Sequence, residues 1–312
     1  MFIRMFLLAA SAAVCSTGAL AQQWSGGSST SACPTLNGNL KTALQSAIAQ
    51  AKGQLGLGLN MWATVVAPDG HVCYVAYSST DAIQGQWLAS RVISAQKAFT
   101  AVSLSLGTTS NSGSGTGLAT GKLALSSANL YSAVQPGGSL FGLATSNPVF
   151  APGAYGDTIA TGGGTTPAAY SPGSEGVATY AGPISTATYG TTSDPMIGQV
   201  IGGINVFGGG LALYASGDVK VGGLGVSGDT SCQDHLIAWN LRHDLGLDHL
   251  GGIGGVAALN GDTTHPDNII FDITVTNGVS VSASGYGHPV CSTSQTATGN
   301  EAIAKALPVV SP

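Results

Sequence analysis

The chain has 312 residues, of which only 7% are charged and 47 are glycine, and its formal net charge is −5. An acidic chain with so few basic residues lacks the positive surface that attracts nucleic acid or anionic lipid, so we expect neither partner. After the N-terminal segment, no apolar run reaches the ~18 residues that a membrane span needs.

The first 21 residues have the pattern of a cleaved secretory signal peptide. Arg4 is followed by a long apolar run that ends in Ala19-Leu20-Ala21, the A-x-A pattern of a signal-peptidase site. A transmembrane helix is the alternative, but no stop-transfer charges follow the run. We therefore expect a periplasmic or secreted protein that begins at Gln22, with a flexible Ser/Gly linker over 22–32. Cleavage removes Arg4 and changes the net charge to −6.

The cysteines predict a disulfide framework. Cleavage removes Cys15 and leaves four cysteines, an even number that indicates two disulfides with three possible connectivities. Cys33 precedes the first predicted helix and Cys73 lies on the neighbouring hairpin, whereas Cys232 opens a late helix and Cys291 follows the last hairpin. We therefore predict Cys33–Cys73 and Cys232–Cys291, with free buried thiols as the alternative.

The first half of the chain begins with a helix. Apolar residues recur at helical spacing over 40–51. Two β-rich segments, 61–67 and 71–77, flank the turn residues Pro68-Asp69-Gly70 and predict a hairpin. A second helix is predicted over about 87–106.

The second half repeats this order after a long interruption. From about 107 to 201 the chain has few periodic signals and many Gly, Pro and Thr residues, which predicts a large insertion ordered in part by packing onto the core. Asn277-Gly278 is a strong hairpin signal. Antiparallel hairpins that alternate with helices predict an α+β fold with one antiparallel sheet, in a single domain over 33–312. The remaining predicted elements are strands at 211–214, 219–226, 269–275 and 279–283, and helices over 230–245 and 301–307.

The segment from Gly225 to Thr230 joins a glycine-rich strand to a helix. Its sequence departs from the nucleophile elbow G-x-S-x-G at Asp229, and its strand belongs to a hairpin and not to a parallel hydrolase sheet. We therefore assign no catalytic residue here. Exposed amides at a helix start can bind a carboxylate, so Ser227 and Gly228 are expected to line a ligand site.

Two histidines lie on the same helix. His235 and His243 share one side with Trp239, a face that could flank a flat aromatic ligand with a histidine as axial donor. An ordinary, partly exposed helix face is the alternative. The following run RHDLGLDH has no zinc spacing such as H-E-x-x-H. Lys97 lies mid-helix among small residues, where it could bind an anionic ligand, pair with an acid or extend to solvent.

Two longer stretches resemble the GlcG/HbpS-like haem-binding family. TVVAPDGHVCYVAYSSTDA followed by ASRVISAQKAFTAVS is similar to the family's first half, in which a Val-Val-Asp-x-x-Gly hairpin precedes a helix with Lys-Ala and Thr-Ala. Lys97-Ala98 and Thr100-Ala101 match, while the turn at 67–70 departs slightly. FGGGLALYASGDVKVGGLGVSGDTSCQDHLIA is similar to the second half, with its Gly-Val-Ser-Gly turn and Asp234 near the helix start.

The resemblance implies a profilin-like α/β/α layered fold, self-association as a homo-oligomer and a haem-like ligand. The leading hypothesis is an exported haem-binding protein for haem uptake, buffering or sensing. An enzyme acting on a small organic acid and a ligand-free oligomeric envelope protein are the alternatives. His235 is the predicted ligand of the haem iron, with His243 second and Thr230 a weaker oxygen donor. The predicted cofactor site comprises His235, His243, Thr230, Ser227, Gly228 and Lys97.

Overall fold

The computed structural model describes residues 31–51, 53–107, 122–155 and 186–312. The predicted signal peptide lies outside these residues, as do two segments of the predicted insertion, 108–121 and 156–185. The helices are α1 (Leu40–Ala51), α2 (Ser90–Leu104), α3 (Leu130–Ala133), α4 (Ala151–Tyr155), α5 (Ser231–Asp244) and α6 (Ala297–Lys305). The strands are β1 (Trp62–Val66), β2 (Val72–Tyr77), β3 (Leu123–Ala124), β4 (Gly210–Ala215), β5 (Val219–Ser227), β6 (Gly254–Gly255), β7 (Ile273–Thr276) and β8 (Val279–Ser282).

Two of the predicted hairpins form a four-stranded antiparallel sheet with the order β2-β1-β5-β4. The hairpins meet at its centre, where Trp62 of β1 lies opposite Ser227 of β5. The outer strands are β2 and β4, and each pairs with the central strand of its own hairpin. The third hairpin, β7–β8, forms a separate two-stranded ladder.

Helices cover both faces of the four-stranded sheet. Alternate side chains of β1 point to opposite faces, as strand geometry requires. Ala63 and Val65 pack in the core that α1 and α5 share, whereas Trp62 and Val66 pack against α2. The result is a three-layer arrangement with α1 and α5 on one face and α2 on the other, which confirms the predicted α+β class and α/β/α layers.

Glycines in β5 bring α2 unusually close to the sheet. A Cβ atom at Gly223 would collide with the carbonyl oxygen of Ala98, and one at Gly225 with that of Ser94. Because neither glycine has a side chain, the backbone of α2 lies directly against the strand. This contact places Lys97, in the middle of α2, at the end of the sheet where β5 turns into α5.

The described parts of the predicted insertion pack onto this core. Leu125 and Leu130 contact Ile270 of the C-terminal segment in a small apolar cluster. Met196 and Ile201 complete the core on the α2 face. The ordering by packing that the composition suggested is therefore found in these segments.

Both predicted disulfides, Cys33–Cys73 and Cys232–Cys291, are present. The last predicted elements differ in their bounds. β7 begins at Ile273, because the buried residues before it have no partner strand among the described residues. α6 begins at Ala297, because the Thr296 side chain accepts a hydrogen bond from Gly299 N and caps the helix. No helix among the described residues is both long and apolar enough to cross a membrane.

Candidate functional site

The turn from β5 into α5 is shaped by a close approach of two chain segments. Gly228 has a φ of 155°, and a Cβ atom there would lie 2.5 Å from the carbonyl oxygen of Asn60. Thr230 is the N-cap of α5: its Oγ1 accepts from Gln233 N at 3.2 Å and donates to Leu55 O at 2.7 Å. Both residues therefore fix the turn, as their types predict.

A carboxylate of the chain itself occupies the amides at this turn. Asp229 accepts hydrogen bonds from the backbone N–H groups of Leu57 at 2.7 Å, Leu59 at 2.9 Å and Thr230 at 2.6 Å. Ser227, the last residue of β5, is buried beside it. The sequence predicted a ligand carboxylate at this helix start; of the three amides that Asp229 binds, only Thr230 N is at the start of α5, and the other two are in the segment after α1.

Lys97 pairs with an acid from the opposite layer. Its Nζ donates to Asp234 Oδ2 at 2.6 Å and to Val226 O at 3.1 Å, and both side chains are buried. Asp229 N donates to the other Asp234 oxygen at 2.9 Å. Burial raises the pKa of Asp234 to about 6 and lowers that of Lys97, and the facing opposite charge limits both shifts. The pair joins α2 to α5 across the end of the sheet.

His235 lies inside the protein and not on an open helix face. Its Nε2 accepts a hydrogen bond from Ile269 N at 3.1 Å and lies 3.2 Å from Asn268 Oδ1. Nδ1 is buried and has no hydrogen-bond partner among the described residues. Burial and then the positive charge of Arg242 lower the pKa of His235 to about 3, so the ring is neutral.

The C-terminal segment covers the rest of this face. Trp239 Nε1 donates to Pro308 O at 2.9 Å, and its ring lies between the rings of His235 and His265. The guanidinium of Arg242, 4.4 Å from the same ring, forms a fully buried ion pair with Asp267. A ligand can reach the His235 ring only if this segment moves.

His243 differs from His235 because it lies where the covering segment no longer reaches. Its side chain is 41% exposed. Nδ1 is 2.6 Å from Asp248 Oδ2, and Asp248 itself is buried. A carboxylate on one ring nitrogen fixes the tautomer and leaves Nε2 with a lone pair for a metal ion. Of the two histidines predicted on α5, this one has the geometry of an accessible ligand.

A groove lies beside the middle of α5, and His243 is outside its lining, three residues after Asn240. It has a volume of about 350 Å³ and lies between α1, α5 and α6. Leu236 and Asn240 form its α5 wall, and His243 follows at the i+7 position of the same helical stripe. The groove is lined by Gln50, Ala51, Gln54, Leu236, Asn240, Ala302, Ile303, Ala306, Leu307 and Pro308.

Each disulfide has a histidine beside it, which the sequence reasoning did not foresee. Cys33, His71 and Cys73, here called the Cys33 cluster, bring their ligand atoms within 4.8 Å of one another. Cys232, His288 and Cys291, the Cys232 cluster, do the same. His71 stands two positions before Cys73 and His288 three before Cys291, so this spacing was the available signal.

The geometry defines a three-layer α/β/α domain with an accessible histidine at the end of its late helix. The HbpS-like family, described as haem degrading protein HbpS-like, matches residues 38–241, and the chain belongs to this family. No curated protein sequence matches the chain.

Two solved structures are similar to this one. A crystal structure of the PduOC:haem complex is 18% identical, with a TM-score of 0.37, and the similarity covers 69% of this chain and 97% of that chain. The Klebsiella pneumoniae protein ORFY is also 18% identical, with a TM-score of 0.35, over 69% of this chain and 95% of that chain. At these TM-scores the family assignment rests on the sequence match alone.

Proposed function

We propose that the chain is an exported haem-binding protein that serves in haem uptake, buffering or sensing. Its membership of the HbpS-like family supports the ligand class. Its two disulfides support export, because such bonds persist in oxidising compartments. The observation that carries the proposal within the site is the exposed His243 ring, which buried Asp248 orients.

The residues around His243 fit a haem in three respects. A haem needs an axial donor, apolar walls and polar contacts for two propionates. His243 Nε2 is the donor, and the apolar side chains of the groove between α1, α5 and α6 are the walls. Gln54 and Asn240 supply amide groups at the same groove, whereas the Gln50 amide nitrogen already donates to Ser46 Oγ and Asp244 Oδ2. A volume of about 350 Å³ lies at the lower end of the ~300–1,000 Å³ range of ligand sites, so part of the haem would face solvent.

The chain's own groups then have distinct roles in the proposed site. His243 Nε2 would hold the iron, while Asp248 would accept the Nδ1 proton and keep the ring from turning. A bound haem would supply an iron centre for ligand binding or redox chemistry. His235 remains the first axial candidate from the sequence, and it serves only if the segment over α5 opens.

The test is a titration of the folded, oxidised protein with haemin, followed by ultraviolet-visible absorption. We expect saturable binding with a shifted Soret band, which His243→Ala abolishes or weakens strongly. Asp248→Asn should weaken binding by about 10–100-fold, because loss of an orienting partner has this effect at metal sites. His249→Ala is the matched control, since His249 is a nearby histidine whose Nδ1 contacts only a backbone oxygen, Pro312 O.

Two results would contradict parts of this proposal separately. If the wild-type protein binds no haemin, the proposed haem function is wrong. If His243→Ala binds haem normally and His235→Ala does not, the protein still binds haem, but the iron ligand is His235 and not His243. Export is checked independently, because N-terminal sequencing of the protein outside the cytoplasm should begin at Gln22.

Self-association is part of the same proposal. Three valines of the β7–β8 hairpin, Val275, Val279 and Val281, are between 55% and 68% exposed. The hairpin has no further strand paired to it among the described residues. Exposed apolar strands of this kind form interfaces between copies of a chain. We expect an oligomer by sedimentation at micromolar concentration, and Val281→Lys should shift it towards the monomer; a monomeric wild type would contradict this.

A further inference from the structure

The Cys33 cluster has the geometry of a metal site whose sulfurs are joined to each other. His71 Nε2 lies 3.5 Å from Cys33 Sγ and 3.7 Å from Cys73 Sγ. In a tetrahedral zinc site with Zn–S bonds of ~2.3 Å and Zn–N bonds of ~2.0–2.1 Å, the S···N edge is about 3.6 Å. The two observed separations therefore already match those of a bound thiophilic cation.

The His71 ring is held in this direction by a carboxylate. Its Nδ1 is 2.6 Å from Asp69 Oδ1, so Nε2 points its lone pair at the sulfurs. Ser31 N donates to Asp69 Oδ2 at 2.8 Å and His71 N donates to Oδ1 at 3.3 Å. Asp69 is thus a fixed partner of the ring.

Both cysteines are held near His71 by contacts other than the disulfide. Cys73 is in β2 at the register shift with β1, between Val72 and Tyr74, which both pair with β1. Cys33 lies between two anchored neighbours: Ser31 N donates to Asp69, and Pro34 is buried against the space above Gly222. Breaking the sulfur–sulfur bond therefore leaves the thiols close to the ring.

We propose that reduction converts the Cys33 cluster into a binding site for one thiophilic cation such as Zn²⁺, with Cys33, Cys73 and His71 as its three protein ligands. Three protein ligands leave the fourth tetrahedral position for water. Cys33 is exposed, so this position is at the surface. The site responds both to the redox state and to the cation, and it is independent of the proposed haem function.

The chemistry requires a dithiol as reductant. Its thiolate attacks the exposed Cys33 sulfur, the Cys33–Cys73 bond breaks, and the dithiol closes to a cyclic disulfide. Two electrons and two protons pass to the protein, which now has two thiols. When Zn²⁺ binds, each thiol loses its proton to solvent and forms a Zn–S bond, and neutral His71 donates through Nε2.

The Cys232 cluster is a natural control in the same molecule. Cys232 is fully buried, and Cys291 Sγ already accepts a hydrogen bond from Cys232 N at 3.1 Å. His288 Nε2 is 3.1 Å from the Ser231 hydroxyl, and its Nδ1 contacts Pro289 O and no carboxylate. Cys291 is only partly exposed, so an attacking thiolate has less access to this bond than to Cys33–Cys73, and mild reduction should leave it intact.

The experiment reduces the folded protein with limiting dithiothreitol, removes the reagent without oxygen, and titrates with Zn²⁺ and with Co²⁺. We expect one equivalent of Zn²⁺ per reduced chain, a thiolate-to-Co²⁺ charge-transfer band, and at least 100-fold weaker binding by the oxidised chain. Alkylation followed by peptide mapping should label Cys33 and Cys73 and not Cys232 or Cys291. Circular dichroism monitors the fold throughout.

Variants identify the ligands. The double variant Cys33→Ser with Cys73→Ser should lose the Co²⁺ band, His71→Ala should weaken Zn²⁺ binding at least 10-fold, and Asp69→Asn should weaken it less. His249→Ala should bind Zn²⁺ as the wild type does. Equal binding by oxidised and reduced protein, equal binding by His71→Ala, or unfolding on mild reduction would each overturn the proposal.

Discussion

The two hairpin–helix units of the sheet follow one plan but bury different groups. The first unit consists of β1, β2 and α2, and the second of β4, β5 and α5. Each helix forms a buried arginine–aspartate pair, Arg91 with Asp194 and Arg242 with Asp267. Each unit also contributes one cysteine to a disulfide that lies beside a histidine.

Burial makes these equivalent features behave differently. The His71 side chain of the first unit is 13% exposed and lies beside an exposed cysteine, whereas His288 and His235 near the second unit are enclosed. A group that water and solutes reach can exchange protons, electrons and ligands, while an enclosed group is restricted to the contacts that it has. The accessible polar groups are therefore in the first unit and at the end of α5. The enclosed groups in the interior of the second unit contribute to stability.

The largest expected effect concerns the two arginine pairs. Arg242→Met should lower the free energy of unfolding by about 3–5 kcal/mol, because it leaves a buried carboxylate uncompensated. Asp267 receives its side-chain hydrogen bonds from Arg242 alone among the described residues. Arg91→Met should cost less, because Asp194 keeps hydrogen bonds from Gly190 N at 2.7 Å and Met196 N at 2.9 Å.

Urea denaturation of both variants tests this difference between the units. Adding Asp267→Leu to Arg242→Met should recover most of the loss, since a well-packed apolar pair can replace a buried ion pair. Equal losses in Arg91→Met and Arg242→Met would show that the amides around Asp194 do not compensate its charge.

The two disulfides should contribute similarly to the free energy of unfolding but differ in how fast they are reduced. The bonds join residues 40 and 59 positions apart, and chain entropy gives about 4 kcal/mol for loops of either length. Paired Cys→Ala variants should therefore differ by less than about 0.5 kcal/mol. The reduction rate of the intact protein should instead favour the Cys33–Cys73 bond strongly. Similar reduction rates would remove the contrast between the two clusters.

Acid should act mainly on the second unit. Burial lowers the pKa of His288 to about 4 and that of His235 to about 3. The unfolded chain takes up these protons near pH 6.5 and the folded chain does not, so stability is present above that pH and is lost as the pH falls towards 3. Asp234, with its pKa raised to about 6, has the opposite sign and partly offsets the loss.

Denaturation midpoints between pH 7 and pH 4 measure this effect, which we expect to be on the order of 2 kcal/mol. His288→Gln should flatten the pH dependence. A slope that is the same in His288→Gln and in the wild type would contradict the enclosure of this ring.

The smallest expected effect is at the helix caps. Thr230→Ala should cost about 1–2 kcal/mol, because it removes the cap of α5 and the hydrogen bond to Leu55 O. Thr296→Ala is the matched substitution at α6, where Gly299 N is the capped amide, and should cost about 1 kcal/mol or less. Thermal unfolding of both variants checks the order, which an equal loss would contradict.

Local sequence patterns were enough to predict the three hairpins, the longer helices and the disulfide pairing. Alternating apolar residues and local turn chemistry specify hairpins, and Asn277 and Gly278 adopt the positive φ values of 52° and 78° that their types favour. Helical periodicity placed α1, α2 and α5 to within a few residues. Each cysteine lies in or beside an element that neighbours the element of its partner. The order of elements limits which segments can meet, so it was enough to predict the pairing.

Which polar groups face each other depends on how the elements pack in the tertiary structure. Lys97 and Asp234 are 137 positions apart, and their contact depends on α2 approaching β5 over its glycines. The same packing brings the amides of Leu57 and Leu59 to Asp229 and encloses His235 beneath the C-terminal segment. Periodicity reports which side of an element is apolar, but a buried hydrogen bond depends on distances between elements, which no local pattern contains.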